Sequence, residues 1–500
     1  MGRAHRRSLS RIFGASLLLI AATLLPVPSA GAAPAVVVDG VENSTCHPGT
    51  ECLVAIVGSA LDEVTGVSTL PARTVSISSR TATRLVVRFA PKQADALVDL
   101  VLHTAEGDVT LPDAVVLSTN EGLYWPVDPT RIFDTRRADL GGPQPVPANG
   151  TVTVPSPDAV VGVAASKSFV VNVTVVTPAA LGYLTVFPGD GPRPLASNLN
   201  FVAGRTVANL VSVVRAADGT FKITNTSARP AHVVVDLVGV HGGLFSSGAY
   251  GLVPLEPVRA YDSRQDGPFS SEFAEDVELG ELPVGTKAVV LNVTAVGASR
   301  AGHVTVFPST EPDVPLVSNL NVANASPIAN LVVVAAESDG VISVATSIPR
   351  VDLVFDVVGV YAADTSFAPP APRFRPIAPT RILDTRNGTG APPGAIGQGR
   401  ELVFDIDDVA SVPDDAEAVL MNVTATGSTT AGYLSIWPGG MTRPVVSSLN
   451  FLAGQTVPNL VLVPIGADGT VRVFTLAASA HVVADLAGYY SYSGGTPWPS

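Results

Sequence analysis

The chain has 500 residues, which is too long for one hydrophobic core and predicts several domains. Valine, glycine and proline are abundant and lysine is rare, a composition typical of short strands joined by tight turns. The formal net charge is −13 without basic runs, which argues against nucleic acid as a partner and against charge-driven binding to an anionic membrane.

The N-terminus predicts an export signal. Residues 1–33 combine a basic start, an apolar run at Ile12–Leu25 and small residues near the predicted cleavage site. The run is short for a membrane span, and no later stretch predicts one. The pair Arg6-Arg7 leaves both the general secretory and the twin-arginine routes open. We expect a secreted protein, either released or held non-covalently at the cell wall.

Residues 35–120 alternate apolar and polar side chains in short runs, which predicts a small immunoglobulin-like sandwich. Cys46 and Cys52 lie close together, so we expect a disulfide between them in an oxidising compartment, with two free thiols as the alternative. Two cysteines without nearby histidines are a poor zinc site. The run VAIVGSAL…VTGV from Val54 and the strand pair ALVDLVLHTAEGDVT resemble the immunoglobulin-like IPT/TIG domains of cell-surface proteins.

The remaining sequence repeats one domain-sized pattern three times. The motifs that recur in order are NVT, GYLTVFP, SNLNF, NLV and HVVVDLVGV, with small changes between copies. We place the copies at residues 125–241, 252–362 and 374–491, followed by a flexible tail at 492–500. Strands such as KAVVLNVTAV are apolar on both faces, so we expect the copies to pack against one another.

Each copy is predicted to be almost wholly β. The candidate strands of the third copy are Arg381–Asp384, Glu401–Ile406, Ala416–Ala425, Gly432–Trp437, Val446–Leu452, Asn459–Pro464, Thr470–Leu476 and Ala480–Tyr489. The Asp-Gly of GADG predicts a hairpin between the sixth and seventh. The expected fold class is therefore all-β, an immunoglobulin-like sandwich followed by three antiparallel β-sandwich or jelly-roll repeats without a convincing helix.

A cluster of arginine and aspartate opens every copy, written RIFDTR, RAYDSR and RILDTR. The candidate ligand-binding residues in these clusters are Asp134, Arg136, Asp262, Arg264, Asp384 and Arg386. One interpretation is a clamp for an acidic or polyhydroxyl ligand, because arginine holds such groups in a two-pronged geometry. The favoured alternative is a staple from the first strand to Asp236, Asp356 or Asp485 late in the same copy.

Polar and aromatic side chains also recur on single strand faces. Asn422 and Thr424 share a face in one strand, as do His232 and Asp236 in another. We interpret these as an internal hydrogen-bond network, with a sugar or cation site as the alternative. The aromatic candidates for stacking on a ligand are Tyr183, Tyr433 and Trp437, for which a core role is the favoured alternative.

No common catalytic signature is present in the sequence, so we expect a protein that is not an enzyme and uses no cofactor or metal. The early and late aspartates of each copy leave a glycan-acting enzyme as one rival, and a purely structural spacer as another.

With RILDTRNGTG, NVTATG, AGYLSIWPGG, SSLNFLAGQTVPNLV and HVVADLAGYY in order, the repeats resemble a poorly characterised module of secreted actinobacterial proteins. The resemblance implies an accessory or surface role. The predicted function is an extracellular binding or scaffold protein whose ligand is cell-wall glycan, another carbohydrate or a partner protein.

Overall fold

A computed structural model of the chain describes residues 35–42, 45–46, 52–70, 72–90, 96–117, 122–142, 144–161, 166–242, 249–323, 325–363, 371–407, 409 and 411–492. The predicted signal peptide and residues 493–500 of the predicted tail lie outside these ranges. The chain divides into two compact units, Met1–Asn120 and Glu121–Ser500. The fold is all-β, as predicted. Across the described ranges, no helix has both the length and the apolar character needed to cross a membrane.

The first unit is a two-sheet sandwich. Its strands are β1 Val37–Glu42, β2 Thr45–Cys46, β3 Cys52–Ser59, β4 Gly66–Leu70, β5 Val75–Thr81, β6 Arg84–Phe89, β7 Ala96–Thr104 and β8 Gly107–Leu117. They form four-stranded sheets in the orders β1-β3-β6-β5 and β2-β8-β7-β4. Alternate side chains such as Val54, Ile56 and Leu100 fill the core between them. A single turn of 3-10 helix, Leu61–Glu63, follows β3.

The first copy opens the second unit. Its strands are β9 Tyr124–Asp134, β10 Thr151–Val154, β11 Ser168–Val176, β12 Gly182–Pro188, β13 Leu199–Phe201, β14 Val207–Val214, β15 Phe221–Asn225 and β16 His232–His241. The inner sheet has the order β14-β11-β16-β9, and the outer sheet has the order β10-β15-β12-β13. Two short helical turns, Ala138–Leu140 and Asp158–Val161, connect strands.

The other copies repeat this topology. The second has β17 Tyr250–Asp262, β18 Glu275–Glu278, β19 Thr286–Val296, β20 Gly302–Pro308, β21 Leu320–Val322, β22 Ile328–Ala335, β23 Val341–Thr346 and β24 Asp352–Ala363, with a helical turn at Ser263–Asp266. The third has β25 Arg373–Asp384, β26 Ile396–Gly397, β27 Glu401–Asp405, β28 Ala416–Thr426, β29 Gly432–Pro438, β30 Leu449–Phe451, β31 Val457–Pro464, β32 Thr470–Thr475 and β33 Ser479–Ser491. The inner sheets of the first two copies join through the pairing of Tyr124 with Tyr250.

Each inner sheet is apolar on both faces. In β11, Val171 and Val173 point into the core of the first copy, whereas Val170 points into a cluster shared by all three copies. The shared cluster consists of equivalent residues, among them Val170, Leu210, Val238, Val290, Leu331, Val358, Leu420 and Leu460. The copies therefore pack around a common centre, as the two-faced strands predicted.

Candidate functional site

A ring of buried asparagines closes the arrangement of the three copies. Asn209 donates to Oδ1 of Asn422 over 3.0 Å, Asn330 donates to Asn172 over 3.0 Å, and Asn459 donates to Asn292 over 2.9 Å. These bonds run from the first copy to the third, from the second to the first, and from the third to the second. The network interpretation of the recurring amides is thus confirmed, and the network lies between copies.

The same asparagines also hold backbone groups of neighbouring copies. The main-chain N–H of Leu210 donates to Oδ1 of Asn330 over 3.0 Å, and the amide of Asn172 donates to the carbonyl of Ser318 over 2.5 Å. Equivalent bonds repeat at the two other boundaries. Two residues after each accepting asparagine lies a buried threonine, Thr174, Thr294 or Thr424, whose hydroxyl has no hydrogen-bond partner within the described ranges.

A second contact between copies joins the ends of the last strands. Tyr361 Oη lies 3.2 Å from Nε2 of His241 and 2.6 Å from Oη of Tyr490, and Tyr490 Oη lies 3.4 Å from the same His241 nitrogen. One residue from each copy thus forms a closed triangle. All three side chains are buried, and desolvation lowers the pKa of His241 to about 3. The imidazole is therefore neutral at ordinary pH and can accept a hydrogen bond from a tyrosine.

The Arg–Asp clusters lie where each first strand bends. In the third copy the register between β25 and β33 shifts at Arg381 to Leu383, so that Arg381 turns toward Asp485. Arg381 Nε donates to Asp485 over 2.6 Å and its Nη1 to Asp384 over 3.1 Å. Arg386 folds back and donates twice to Asp384, over 2.8 and 2.7 Å. The predicted link to the late aspartate exists, but Arg381 makes it and Arg386 does not.

The first and second copies repeat this geometry. Arg131 reaches Asp236 and Arg259 reaches Asp356, both over 2.8 Å. Arg136 pairs with Asp134 over 2.7 Å, and Arg264 pairs with Asp262. Every cluster therefore contains two arginines and two aspartates in contact.

The two aspartates of a cluster are held differently. The side-chain hydrogen bond from Arg386 lowers the pKa of Asp384 to about 2. Burial, by contrast, raises the pKa of Asp485 although Arg381 opposes the shift. All four atoms that Asp384 and Asp485 could offer to a substrate already accept hydrogen bonds from arginine. The pair is poorly arranged for acid–base chemistry, which needs a carboxyl group that can reach the substrate.

Each cluster borders the next copy in the ring. We call these boundaries seams: the first contains Arg131 and Ser318, the second Arg259 and Ser447, and the third Arg381 and Ser197. At the first two seams, Asn172 and Asn292, which pair with Asp236 and Asp356 in the sheet, donate to the carbonyls of Ser318 and Ser447. Burial raises the pKa of Asp236 and Asp356, and the nearby backbone of Ser318 and Ser447 opposes that shift. At the third seam, Arg381 Nη2 donates to the carbonyl of Leu195 over 3.1 Å.

The recurring histidines pair with the residue after the cluster aspartate. Thr135 lies 3.0 Å from Nδ1 of His232, and Thr385 lies 3.1 Å from Nδ1 of His481. In the second copy Ser263 lies 3.3 Å from Asp352 instead. The second copy therefore has serine and aspartate where the other two have threonine and histidine, and the two exchanged residues still contact each other.

The predicted aromatic residues have different environments. Trp437 is 1% exposed and donates its Nε1–H to the carbonyl of Met441, so its ring offers no face to a ligand. Tyr183 and Tyr433 are half-buried at the second position of β12 and β29, and His303 is exposed at the equivalent place in β20. Partial desolvation of the His303 ring lowers its pKa, and the nearby charge of Arg131 lowers it further. His303 therefore lies at the first seam, and the strands of Tyr183 and Tyr433, β12 and β29, meet β25 and β17 of neighbouring copies.

Two further predictions concern the Cys46–Cys52 disulfide and metal binding. The side chains of Cys46 and Cys52 lie outside what the structure describes, so their disulfide stays a prediction. Within the described ranges, no group of histidine, cysteine and acidic side chains could hold a metal ion.

Comparison with protein-family models finds no match, and no curated protein matches the chain. Among solved structures, the chain aligns with the surface glycan-binding protein SGBP-B of a Bacteroides ovatus mixed-linkage glucan utilization locus (16% identity, TM-score 0.14, 40% of this chain and 52% of that one). It also aligns with the surface glycan-binding protein PbSGBP-B of Prevotella bryantii (10% identity, TM-score 0.16, 66% and 99%). A third alignment is with a triple jelly-roll protein of an archaeal virus turret (10% identity, TM-score 0.17, 73% and 91%). The chain spans about half the length of the first of these, and TM-scores this low do not establish a shared architecture.

Proposed function

We propose that the protein is an exported binding and scaffold protein of the cell surface that does not act as an enzyme. Its ligand would be cell-wall glycan, another carbohydrate or a partner protein. The observation that carries this proposal is the asparagine ring, because it fixes three equivalent surfaces in one rigid arrangement. Multiple binding surfaces at fixed spacing increase the avidity for a repetitive ligand.

Ion pairing in the clusters supports the non-enzymatic part of the proposal. Asp134 and Asp384 are almost fully buried and accept hydrogen bonds from arginine on both oxygens. A glycoside hydrolase needs one carboxyl group that can give up a proton and a second that can attack or activate water. Carboxylates held in this way favour a structural role.

The proposal includes three features of an extracellular protein: cleavage of residues 1–33, a Cys46–Cys52 disulfide, and the IPT/TIG-like and actinobacterial relationships of the two parts. Intact-mass spectrometry of secreted protein before and after reduction tests the first two. A mass that matches loss of the leader and a gain of two hydrogens on reduction is the expected result.

A binding experiment tests the function itself. Purified protein is incubated with purified bacterial cell wall and with a glycan array, and the supernatant is assayed for released sugar. Saturable retention without sugar release is the expected result. Released sugar would overturn the non-enzymatic proposal, and a complete lack of retention on both materials would favour the structural spacer.

A further inference from the structure

One exposed apolar side chain recurs at the same place in every copy. Leu195, Leu316 and Val445 are 83%, 82% and 87% exposed, and each lies two residues before the serine that forms a seam. A single exposed leucine is unremarkable on a protein surface. Three at equivalent positions, each in a loop whose following residues are buried in a contact between copies, form a repeated surface feature.

Each of these side chains adjoins an Arg–Asp cluster of the preceding copy in the ring. At the third seam, the hydrogen bond from Arg381 Nη2 to the Leu195 carbonyl places the two residues side by side. At the first seam, Asn172 donates to the Ser318 carbonyl and pairs with Asp236, which accepts from Arg131, so the loop of Leu316 lies beside the cluster of Arg131. Strands of the two copies are also in contact at every seam. The first strand of one copy meets the strand of the next that carries the tyrosine or histidine, in the pairs β9 with β20, β17 with β29 and β25 with β12.

The last arginine of each motif, Arg136, Arg264 or Arg386, is here called the outer arginine. One side of its guanidinium group is available for a further hydrogen bond. Arg386 uses Nε and Nη2 to hold Asp384, and its Nη1 has no hydrogen-bond partner in the described ranges. Its side chain is 50% exposed, and those of Arg136 and Arg264 are 42% and 49% exposed. Because the guanidinium is planar and already fixed by its aspartate, its remaining N–H groups are oriented in advance for an acceptor outside the protein.

The net charge of the cluster indicates whether the acceptor outside the protein is charged or neutral. In the third cluster Arg381 and Arg386 offset Asp384 and Asp485, so the cluster has no net charge to attract an anion. Tyr183 and the exposed side chain of Leu195 add apolar surface from the adjoining copy. Hydroxyl groups can accept from the guanidinium while the C–H faces of a sugar ring cover the apolar side chains.

We propose that the three seams are equivalent carbohydrate-binding sites, each built from two copies, that take neutral polyhydroxyl chains. Each site combines the outer arginine of one copy with the exposed apolar residue and the tyrosine or histidine of the next. This inference rests on the proposed function, because it names the ligand class and the surface for that binding role.

Calorimetric titration tests the inference with neutral oligosaccharides as probes: oligomers of glucose, xylose, mannose and N-acetylglucosamine. The wild type should bind at least one of them with about three sites per chain, and Leu195→Ser should leave about two. The triple variant Leu195→Ser/Leu316→Ser/Val445→Ser should weaken retention on a polymer of the same sugar by more than about tenfold. These residues are largely exposed, so the melting temperature should not change.

Val284→Ser is the matched control, because Val284 is an equally exposed apolar residue at 82% and lies just before β19, away from the seam residues. It should bind like the wild type. Unchanged sugar binding by the triple variant would overturn the seam sites and leave the binding function standing. Retention on cell wall without binding to any oligosaccharide would overturn the assignment of neutral carbohydrate to the seams and leave the binding function standing. A lack of retention on every material would overturn both the seam sites and the binding function.

Discussion

Asn209 in the first copy donates its amide to Oδ1 of Asn422 in the third copy over 3.0 Å, although the two residues are far apart in the chain. The bond joins the first and last copies and completes the ring that the other asparagines form. Asn209 also donates to the carbonyl of Asn198 over 2.5 Å and accepts from the backbone of Leu460 over 3.3 Å. A buried residue with this many partners fixes the relative position of the copies.

Replacing Asn209 should therefore destabilise the whole second unit. Asn209→Ala leaves the buried Leu460 N–H and Asn198 carbonyl without their partner, which should lower the free energy of unfolding by about 2 to 4 kcal/mol. Urea denaturation monitored by circular dichroism measures this change. The control Asn200→Ala removes a half-buried amide whose side chain, among the described residues, hydrogen-bonds to the Ser197 hydroxyl alone, and should cost less than about 1 kcal/mol. Equal effects of the two variants would contradict the role of the ring.

His241 should make the stability depend on pH. Burial lowers its pKa from 6.5 to about 3, so the unfolded chain takes up a proton that the folded chain refuses. The free energy of unfolding should fall as the pH decreases from about 6.5 toward 3, by up to about 1.4 kcal/mol per unit from this group. His241→Phe removes this dependence, so the free energy of unfolding of the wild type should fall relative to that of the variant as the pH decreases.

The measurement is chemical denaturation of both proteins between pH 7 and about 5, above the range in which carboxylates titrate. The lowered pKa of Asp384 contributes stability that is present above 3.8 and is lost only as the pH falls toward 2. The lowered pKa of His303 acts in the same direction as that of His241, but it is common to both proteins and cancels in the comparison. Parallel curves for the wild type and His241→Phe would refute the prediction.

The two arginines of a cluster should contribute unequally. Arg381→Met leaves Asp485, whose side chain is 2% exposed, without its cation, and should cost about 3 kcal/mol. Arg386→Met removes a half-exposed side chain while Arg381 still contacts Asp384, and should cost about 1 kcal/mol or less. Thermal unfolding of both variants ranks them. The double variant Arg381→Met/Asp485→Leu should recover part of the loss, because no unpaired buried charge remains; no recovery would argue against the ion pair as the cause.

Equivalent glycines in the last strands offer a matched steric test. A Cβ on Gly488 would lie 2.6 Å from the carbonyl oxygen of Arg375 and 2.6 Å from the buried ring of Phe374. A Cβ on Gly359 would meet nothing closer than 3.2 Å. Gly488→Ala should therefore lower stability by about 3 kcal/mol or more, and Gly359→Ala by about 1 kcal/mol or less. Differential scanning calorimetry would test this order, and the opposite order would contradict the close approach of Phe374 and the Arg375 carbonyl to Gly488.

Most strands could be read from the sequence because they carry a period of two. The hairpin predicted at the Asp-Gly of GADG is wrong: β31 pairs with β28 in one sheet and β32 with β27 and β29 in another, so Gly466–Gly469 connects two sheets. The predicted strand Thr470–Leu476 is observed as Thr470–Thr475, and Glu401–Ile406 as Glu401–Asp405. The first strand of the third copy was placed too short, since β25 begins at Arg373. Arg375 and Pro376 belong to the strand because they pair with β33. The local strand propensity of these residues does not predict this pairing.

The contacts between copies could be anticipated only in outline. Apolar residues on both strand faces indicated that the copies meet, but a repeated NVT does not tell which copy receives its amide. Likewise, the spacing of two residues between Asp384 and Arg386 suggested that they share one strand face. The register shift between Arg381 and Leu383 instead makes Arg381 the partner of Asp485. The ring and the seams depend on contacts across hundreds of residues, which a linear pattern does not encode.

The asparagine ring and the triangle of His241, Tyr361 and Tyr490 both need one residue or pair from every copy. This requirement limits how many copies such a chain can contain. Each copy meets the next through unlike surfaces, and this head-to-tail association closes after three members. A chain with two copies would leave an exposed donor surface and an exposed acceptor surface, and would recruit another chain to fill the gap. A chain with six would form two closed bodies in series. On this geometry, only a multiple of three copies leaves no donor or acceptor surface unpaired.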